Sequence, residues 1–446
     1  VRLRLVLPRG RRRAGLGGLS CPRRPAALAL AAALALAGCG GSSGTETRRS
    51  TQPGSSSASS APAFGLTEDN ADLLWNPRAP APSGGVAFEL ARERLTALHP
   101  RYVRLLVDWA ALQPDANLAP DLQGPIDGCA RSVAPCGAYA GLREDFAAIA
   151  TQQRAARAEG RPAFEVVLDL FGVPAWAARA PSGCEIAGTR PFSRPLDAAG
   201  LAGYRSLIAS LLALGARAGV ALPWWSPWNE PNDPVFISPQ RASCSPTSTP
   251  LAAAVYAQLA QAMAGELDAA GGSHQLLLGE LNAFHANSAH STSVAQFVAA
   301  LPASVICLSE TWSIHAYAAQ AQAAPELDPV ASLEAALDAR GGCARRASIW
   351  ITEAGAGAPH PGRPRPPGAP DERAGCLALA AQLQRWAADP RVQAVLQYSF
   401  REDPAFPVGL VSADLAHLYP TYGLWLAYTR ARTQGERVPA PAALCP

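Results

Sequence analysis

The chain contains no lysine and a single methionine, Met263, so all 38 of its basic residues are arginine. It has no Cys-x-x-Cys pair and no His-Cys cluster at zinc spacing, which leaves no sequence case for a structural metal. Its first apolar run, Ala26–Ala37, has twelve residues, short of the roughly 20 that a membrane-spanning helix needs. No internal repeat is visible. No Gly-rich phosphate loop follows the first apolar segment, which argues against a nucleotide-binding doubly wound sheet. Acidic residues are missing from the start: eight arginines lie between Arg2 and Arg24, and no Asp or Glu precedes Cys39. From residue 39 onward 30 basic side chains face 35 acidic ones, a net of −5 against +3 for the whole chain. A body of that sign is not built to hold a nucleic-acid backbone.

A basic region, a short apolar core and small residues together read as a secretory signal. The ending Leu36-Ala37-Gly38-Cys39 resembles the signal of bacterial lipoproteins. That resemblance implies removal of residues 1–38, lipidation of Cys39, and a chain held on the outer side of a membrane by its anchor. Arg11-Arg12-Arg13 is a weak hint of twin-arginine export. Residues 39–63 are mostly Gly, Ser, Thr, Ala and Pro. Such a segment buries too little apolar surface to offset its ordering entropy, so a flexible tether is expected. Residues 64–446 remain, enough for one barrel of about 250 residues with long loop insertions.

In that region short β-branched and aromatic runs alternate with longer Ala/Leu-rich segments, the pattern of βα units and a parallel sheet. Strands are expected at Phe64–Thr67, Val103–Val107, Phe164–Leu170, Gly219–Ser226, Gln275–Gly279, Trp312–His315, Ser348–Thr352 and Val395–Ser399. Helices are expected at Phe146–Ala158, Leu201–Ala218, Leu251–Ala269 and Cys376–Ala388. Eight strands point to an α/β fold of the (β/α)8 TIM-barrel class. Apart from Cys21 and Cys39, eight cysteines remain, an even number that suits disulfides in an exported chain. The barrel order suggests Cys129–Cys136, Cys184–Cys244, Cys307–Cys343 and, by remainder, Cys376–Cys445.

The run Trp225-Ser-Pro-Trp-Asn-Glu-Pro-Asn232 puts Glu230 at the end of the fourth strand, among aromatic residues. Ser348-Ile-Trp-Ile-Thr-Glu353 puts a second carboxylate at the end of the seventh. Three βα units fit between them, so both acids would enter one cleft at the carboxyl ends of the strands. Such a pair is what glycoside cleavage requires. A helix-start glutamate before Pro231 and a solvated strand-end acid are the plain alternatives. The Trp-Asn-Glu-Pro motif resembles the acid/base motif of the clan A glycoside hydrolases, retaining (β/α)8 enzymes, with families 39 and 5 nearest.

The resemblance implies Glu230 as acid/base, Glu353 as nucleophile and Asn229 as a contact to the sugar hydroxyl beside the reacting carbon. Arg104, inside Tyr-Val-Arg-Leu-Leu-Val, is a charge in an apolar strand and must be paired or face the cleft. It matches the clan's second-strand arginine near the nucleophile. His315 and Tyr317, two apart and so on one face, match a His-x-Tyr pattern lining the sugar site. Trp176, Trp228 and Tyr398 are candidate sugar contacts. Tyr398 stands in Gln397-Tyr-Ser-Phe400, where the clan commonly has a tryptophan. Asp108, Trp109, Trp225, Glu280 and Asn282 are weaker candidates, and the Pro-rich Ala356–Pro370 is expected to rim the cleft. His285 and His290 lack further ligands at useful spacing, so neither metal nor cofactor is expected.

The reading is a retaining β-glycosidase acting on an oligo- or polysaccharide. A non-catalytic glycan-binding surface lipoprotein and a transglycosylase remodelling an envelope polysaccharide are its rivals.

Overall fold

Nine parallel strands form one sheet: β1 (Ala63–Thr67), β2 (Tyr102–Asp108), β3 (Glu165–Phe171), β4 (Trp224–Ser226), β5 (Gln275–Leu276), β6 (Leu278–Leu281), β7 (Thr311–Tyr317), β8 (Ser348–Gly355) and β9 (Val392–Tyr398). Their order is β5-β4-β3-β2-β1-β9-β8-β7-β6. The two edges, β5 and β6, are pieces of one strand separated only by Leu277, whose N–H donates to Trp225 O at 2.9 Å. The sheet therefore closes on itself with eight strand positions, the (β/α)8 barrel. This computed structural model describes residues 62–68, 73–74, 85–123, 141–318, 328–357, 365, 370–403 and 406–446. The expected signal, residues 39–61 of the expected tether, Cys39 and the Cys129–Cys136 pair lie outside the described residues.

One principal helix follows each strand position: Gly85–Ala97, Gly141–Ala158, Ala198–Ala218, Ala252–Ala270, Val294–Ala300, Pro329–Arg340, Pro370–Ala388 and Pro420–Gln434. The third shows how local chemistry sets such limits. Asp197 accepts the N–H of Gly200 at 2.7 Å to start it, and Gly219 ends it at φ 68°, a conformation that glycine takes without steric penalty. Gly219 is therefore a helix cap and not the start of the fourth strand. Pro223 follows and has no N–H for a ladder, so β4 begins only at Trp224.

Side chains alternate across each strand. The outward set packs against the helices in the main core, which contains Leu105, Leu168, Trp312, Ile351 and Val395. The inward set forms a second, small cluster of Ala63, Val167, Leu277, Trp350, Ala394 and Leu396, capped at the amino end by Tyr102 and Trp224. The Trp350 ring lies 4.3 Å from that of Tyr102 and 4.5 Å from that of Trp224, centroid to centroid. Gly65 keeps this plug closed, since a Cβ there would sit 2.6 Å from Leu396 Cγ.

Three of the expected disulfides are present. Cys184–Cys244 joins the loops after β3 and β4 on the carboxyl face. Cys307–Cys343 joins the segments before β7 and β8 on the opposite face. Cys376–Cys445 fastens the chain end to the helix Pro370–Ala388. Closing loops of this size removes unfolded-state entropy worth about 4 kcal/mol each.

Candidate active site

Above the apolar plug the inward positions turn polar. Arg104 of β2 is fully buried. Its guanidinium donates to Glu353 Oε1 (2.8 Å), Asp169 Oδ2 (2.6 Å), Asn229 Oδ1 (2.9 Å) and Glu280 Oε2 (3.2 Å). Burial alone would lower its pKa, but the carboxylates of Glu280, Asp169 and Glu353 hold it well above the usual value. Removing such a charge from water is tolerable only with this density of partners.

Two irregularities in the sheet aim the acids. Leu278 pairs with Trp312 and Leu281 with Ile314, so β6 spends three steps against two on β7. Between them Gly279 has φ 107° and Glu280 φ 51°. A Cβ on Gly279 would lie 2.4 Å from Ser313 O, which only glycine avoids. Likewise Ile314 pairs with Ile351 but His315 with Glu353, leaving Thr352 as an extra residue on β8. An inserted residue of this kind re-aims a side chain. Here Thr352 and Glu353 both turn inward: Thr352 Oγ1 donates to Glu280 Oε2 at 2.6 Å, while Glu353 meets Arg104 and Tyr317.

Glu280 is the hub beneath the cleft. Besides Arg104 and Thr352 it receives His315 Nε2 at 2.8 Å, and its own N–H donates to Ser313 Oγ at 2.7 Å. Burial pushes its pKa up, but Arg104 and then His315 outweigh it and bring it to about 2. Asp169, also fully buried, is raised well above the usual carboxylate range by desolvation, against the pull of Arg104. Of two adjacent buried acids, one is held ionised and the other is pushed toward its protonated form.

Glu230 lies in the loop after β4 with φ 36°, a conformation costly for any residue with a side chain. The backbone around it is tied on both sides. Asn229 N–H donates to Leu170 O and Asp233 N–H to Glu230 O, each at 2.9 Å. His315 stands between the two outer acids, with Nδ1 2.8 Å from Glu230 Oε1 and 3.4 Å from Glu353 Oε2. Burial would lower its pKa. The charge of Glu353 and the hydrogen bonds to Glu230 and Glu280 lift it to about 10, so the imidazolium donates from both nitrogens at neutral pH. The Tyr317 hydroxyl donates to Glu353 Oε2, and its pKa is well above the usual value through burial and then the Glu353 charge. Asp233 is raised to about 6 by burial and the neighbouring Glu230 charge.

Donor atoms of Glu230, His315 and Glu353 lie within 4.8 Å of one another. Two carboxylates and a histidine form a set that a divalent ion can use. Binding one would require stripping a proton from His315 against a pKa of about 10.

Glu230, Glu353, Asn229, Arg104, His315 and Tyr317 are thus brought together. Tyr398 ends β9 on the inward face shared with Ala394 and Leu396, half-buried, with Phe406 between it and Tyr317 (centroids 5.9 and 4.9 Å). Two expected sugar contacts are engaged in packing. Trp228 is 1 % exposed, its indole N–H spent on Phe236 O at 3.0 Å. Trp176 packs edge-on against Trp109 and over Gly203, donating to Gln113 O at 2.8 Å. Both supply apolar area to the packing around the cleft, the common use of tryptophan. Of the Pro-rich loop, Arg365 is described and buried. It donates to Ala356 O (2.9 Å) and Gly409 O (2.7 Å), pairs with Glu402, and lies 3.6 Å over the Tyr419 ring.

Asp169 escaped the sequence reading, although Val-Val-Leu-Asp-Leu-Phe carries the same signal as Arg104, a charge inside an apolar strand. The central place of Glu280 had no such signal, because it depends on the bulge at Gly279.

No protein-family profile matches the chain, and no curated protein matches it in sequence. Solved structures do match in fold. SrfJ from Salmonella typhimurium aligns with a TM-score of 0.51 at 10 % identity, covering 83 % of this chain and 74 % of its own. A GH5_18 enzyme from Streptomyces cattleya in complex with GlcNAc aligns at 0.48 with 14 % identity, covering 85 % and 82 %. A GH30 endoxylanase from Clostridium papyrosolvens aligns at 0.45 with 10 % identity, covering 83 % and 72 %. The neighbours named as GH5 and GH30 are glycoside hydrolases. At these identities the likeness bears on the fold alone.

Proposed function

We propose that the chain is a retaining glycosidase of the clan A type, with Glu353 as nucleophile and Glu230 as acid/base. The observation that carries this reading is the proximity of the two carboxylates, whose oxygens approach within 4.8 Å. Retaining enzymes hold their carboxyl groups about 5–5.5 Å apart, whereas inverting ones need about 6.5–9.5 Å to admit a water.

In the first step a Glu353 oxygen attacks the anomeric carbon, and Glu230 gives its proton to the departing oxygen. His315 occupies Glu230 Oε1, which leaves Oε2 for that proton. The negative charge thereby passes from Glu353, now an ester, to Glu230. One cation serves both states, because the imidazolium of His315 lies 3.4 Å from Glu353 and 2.8 Å from Glu230. In the second step Glu230 takes a proton from water, which displaces the sugar and restores Glu353. Arg104 and Tyr317 hold the two oxygens of Glu353 in the line of attack, and Asn229, oriented by Arg104, faces the sugar hydroxyls. The chemistry needs no cofactor.

We further propose export and anchoring through a lipid on Cys39. Labelled palmitate incorporated by the wild type and not by Cys39→Ser supports the anchor. Equal labelling removes it.

The test of catalysis is sugar release by the signal-free protein across plant, fungal and bacterial β-glycans, beside Glu230→Gln. Release by the wild type alone supports the assignment. Glycan binding without release by either would make the protein a carbohydrate binder.

A further inference from the structure

The bulge that turns Glu280 into the cleft is held from outside the cleft. Gly279 and Glu280 lie in β6 at φ 107° and 51°, and for Glu280 that backbone is costly unless its surroundings fix it. A buried N–H must find an acceptor, and in a regular parallel ladder a carbonyl of the neighbouring strand supplies it. At this bulge both N–H groups donate to side-chain hydroxyls. Gly279 N–H reaches the Tyr256 hydroxyl oxygen at 2.8 Å, and Glu280 N–H reaches Ser313 Oγ at 2.7 Å. Ser313 Oγ in turn donates to Leu278 O at 3.2 Å, the carbonyl just before the bulge.

Tyr256 belongs to no strand. It comes from the helix Ala252–Ala270, is fully buried, and shares the buried side of that helix with Ala253, Ala257 and Ala260. Neighbours this small let the phenol lie between helix and sheet. Its ring packs edge-on against Phe297 at 5.6 Å and 66°, which fixes where the hydroxyl stands. Burial holds the phenol above its usual pKa, so the hydroxyl stays protonated at neutral pH. From the bulge the line of contacts runs into the site. Glu280 Oε2 receives His315 Nε2 at 2.8 Å, and His315 Nδ1 stands 2.8 Å from Glu230 Oε1 and 3.4 Å from Glu353 Oε2.

We propose that Tyr256 is a positioning residue for the reaction: with Ser313 it latches the β6 bulge, so that Glu280 points at His315 and the imidazolium stands between the two catalytic carboxylates. The inference rests on the reading of Glu230 and Glu353 as the catalytic pair. Without the phenol oxygen the Gly279 N–H is left buried and unpaired, and the segment finds another acceptor only by turning. Glu280 is the next residue, so its carboxylate turns with it. A misplacement of about 1 Å near the reacting groups costs up to about 100-fold in rate. A hydroxyl outside the cleft therefore controls kcat, while KM, to which it contributes no contact, stays in place.

The test compares the signal-free wild type with Tyr256→Phe, which keeps the ring and removes only the oxygen, and with Ser313→Ala. Tyr422→Phe is the control, since it removes a hydroxyl that donates to Arg94 O at 3.0 Å between two outer helices. Two quantities are read. One is kcat and KM on whichever β-glycan the wild type cleaves. The other is the ring N–H signals of His315 in proton–nitrogen NMR, identified by their loss in His315→Gln. The expected result in Tyr256→Phe and Ser313→Ala is a kcat lower by about 10- to 100-fold at a KM within about twofold, with the Nε2–H signal displaced. Tyr422→Phe should show neither change. If the melting curve shows that Tyr256→Phe does not fold, Ser313→Ala decides in its place. A kcat loss no larger than that of Tyr422→Phe, or His315 signals at the wild-type positions in a folded variant, overturns the latch. The NMR needs no turnover. A displaced Nε2–H signal with no sugar released from any glycan by the wild type leaves the latch standing and removes the hydrolase. Sugar release with the signals unmoved does the reverse.

Discussion

The barrel interior has two ends made from the same alternation of residues and opposite physics. At the amino end Tyr102, Trp224 and Trp350 fill the bore with rings, and Ala63, Val167 and Leu396 seal it. At the carboxyl end Arg104, Asp169, Glu280, His315 and Glu353 occupy equivalent inward positions, all buried. The first end gains free energy by removing apolar surface from water, at about 25 cal/mol per Å². The second consists of charges whose desolvation is offset only by one another. Stability and chemistry are thus stacked along one axis, with the plug forming a fixed floor for the site.

Substitutions should separate the two ends. The largest effect is expected from Glu353→Gln, which keeps the shape of the site and removes the nucleophile. Its kcat should fall by at least about 10⁴-fold while the melting temperature holds. Next come two changes of similar size and different character. Trp350→Ala opens a cavity in the plug and should cost about 3–5 kcal/mol, read as a shift in denaturant midpoint that does not vary with pH. Arg104→Met strands Glu280, Glu353 and Asp169 and should also cost about 3–5 kcal/mol. That loss should shrink as pH falls and Glu280, no longer held near 2 by Arg104 against the upward push of burial, takes a proton. A loss that ignores pH would show that Arg104 acts through packing.

His315 gives a smaller, graded effect. Its folded-state pKa of about 10 lies above the unfolded value near 6.5. Its stabilisation is therefore complete below about pH 6.5 and is lost as pH rises through about 10. Unfolding free energy measured from pH 6 to 10 should decline in the wild type and flatten in His315→Gln. The smallest effect belongs to Asp233, raised to about 6 beside Glu230. Asp233→Asn should remove an inflection near pH 6 from the kcat/KM profile, with a change in maximum rate of less than about tenfold.

The contrast also explains what the sequence disclosed. Arg104 was legible because a charge inside an apolar strand is conspicuous, and the glutamates of Trp-Asn-Glu-Pro and Ile-Thr-Glu because each closes such a strand among aromatic or β-branched residues. The barrel was legible because βα alternation persists along the chain; Cys184–Cys244 and Cys307–Cys343 follow from its order, and Cys376–Cys445 from what remains. Glu280 showed only as a minor candidate, since a bulge turns it inward and bulges leave no periodic trace. Trp176 and Trp228 were ambiguous because an indole serves packing and sugar contact equally well. The fourth strand looked too long because Val220 and Leu222 are as buried as strand residues while lying in a loop.

The central claim is that Glu230 and Glu353 stand close enough for covalent catalysis. It is tested most directly by the anomeric configuration of the first product, followed by NMR within the first minutes of turnover. A first-formed sugar with the configuration of the substrate is the predicted result. A first-formed sugar of inverted configuration would contradict it, because water, and not Glu353, would then have attacked the anomeric carbon.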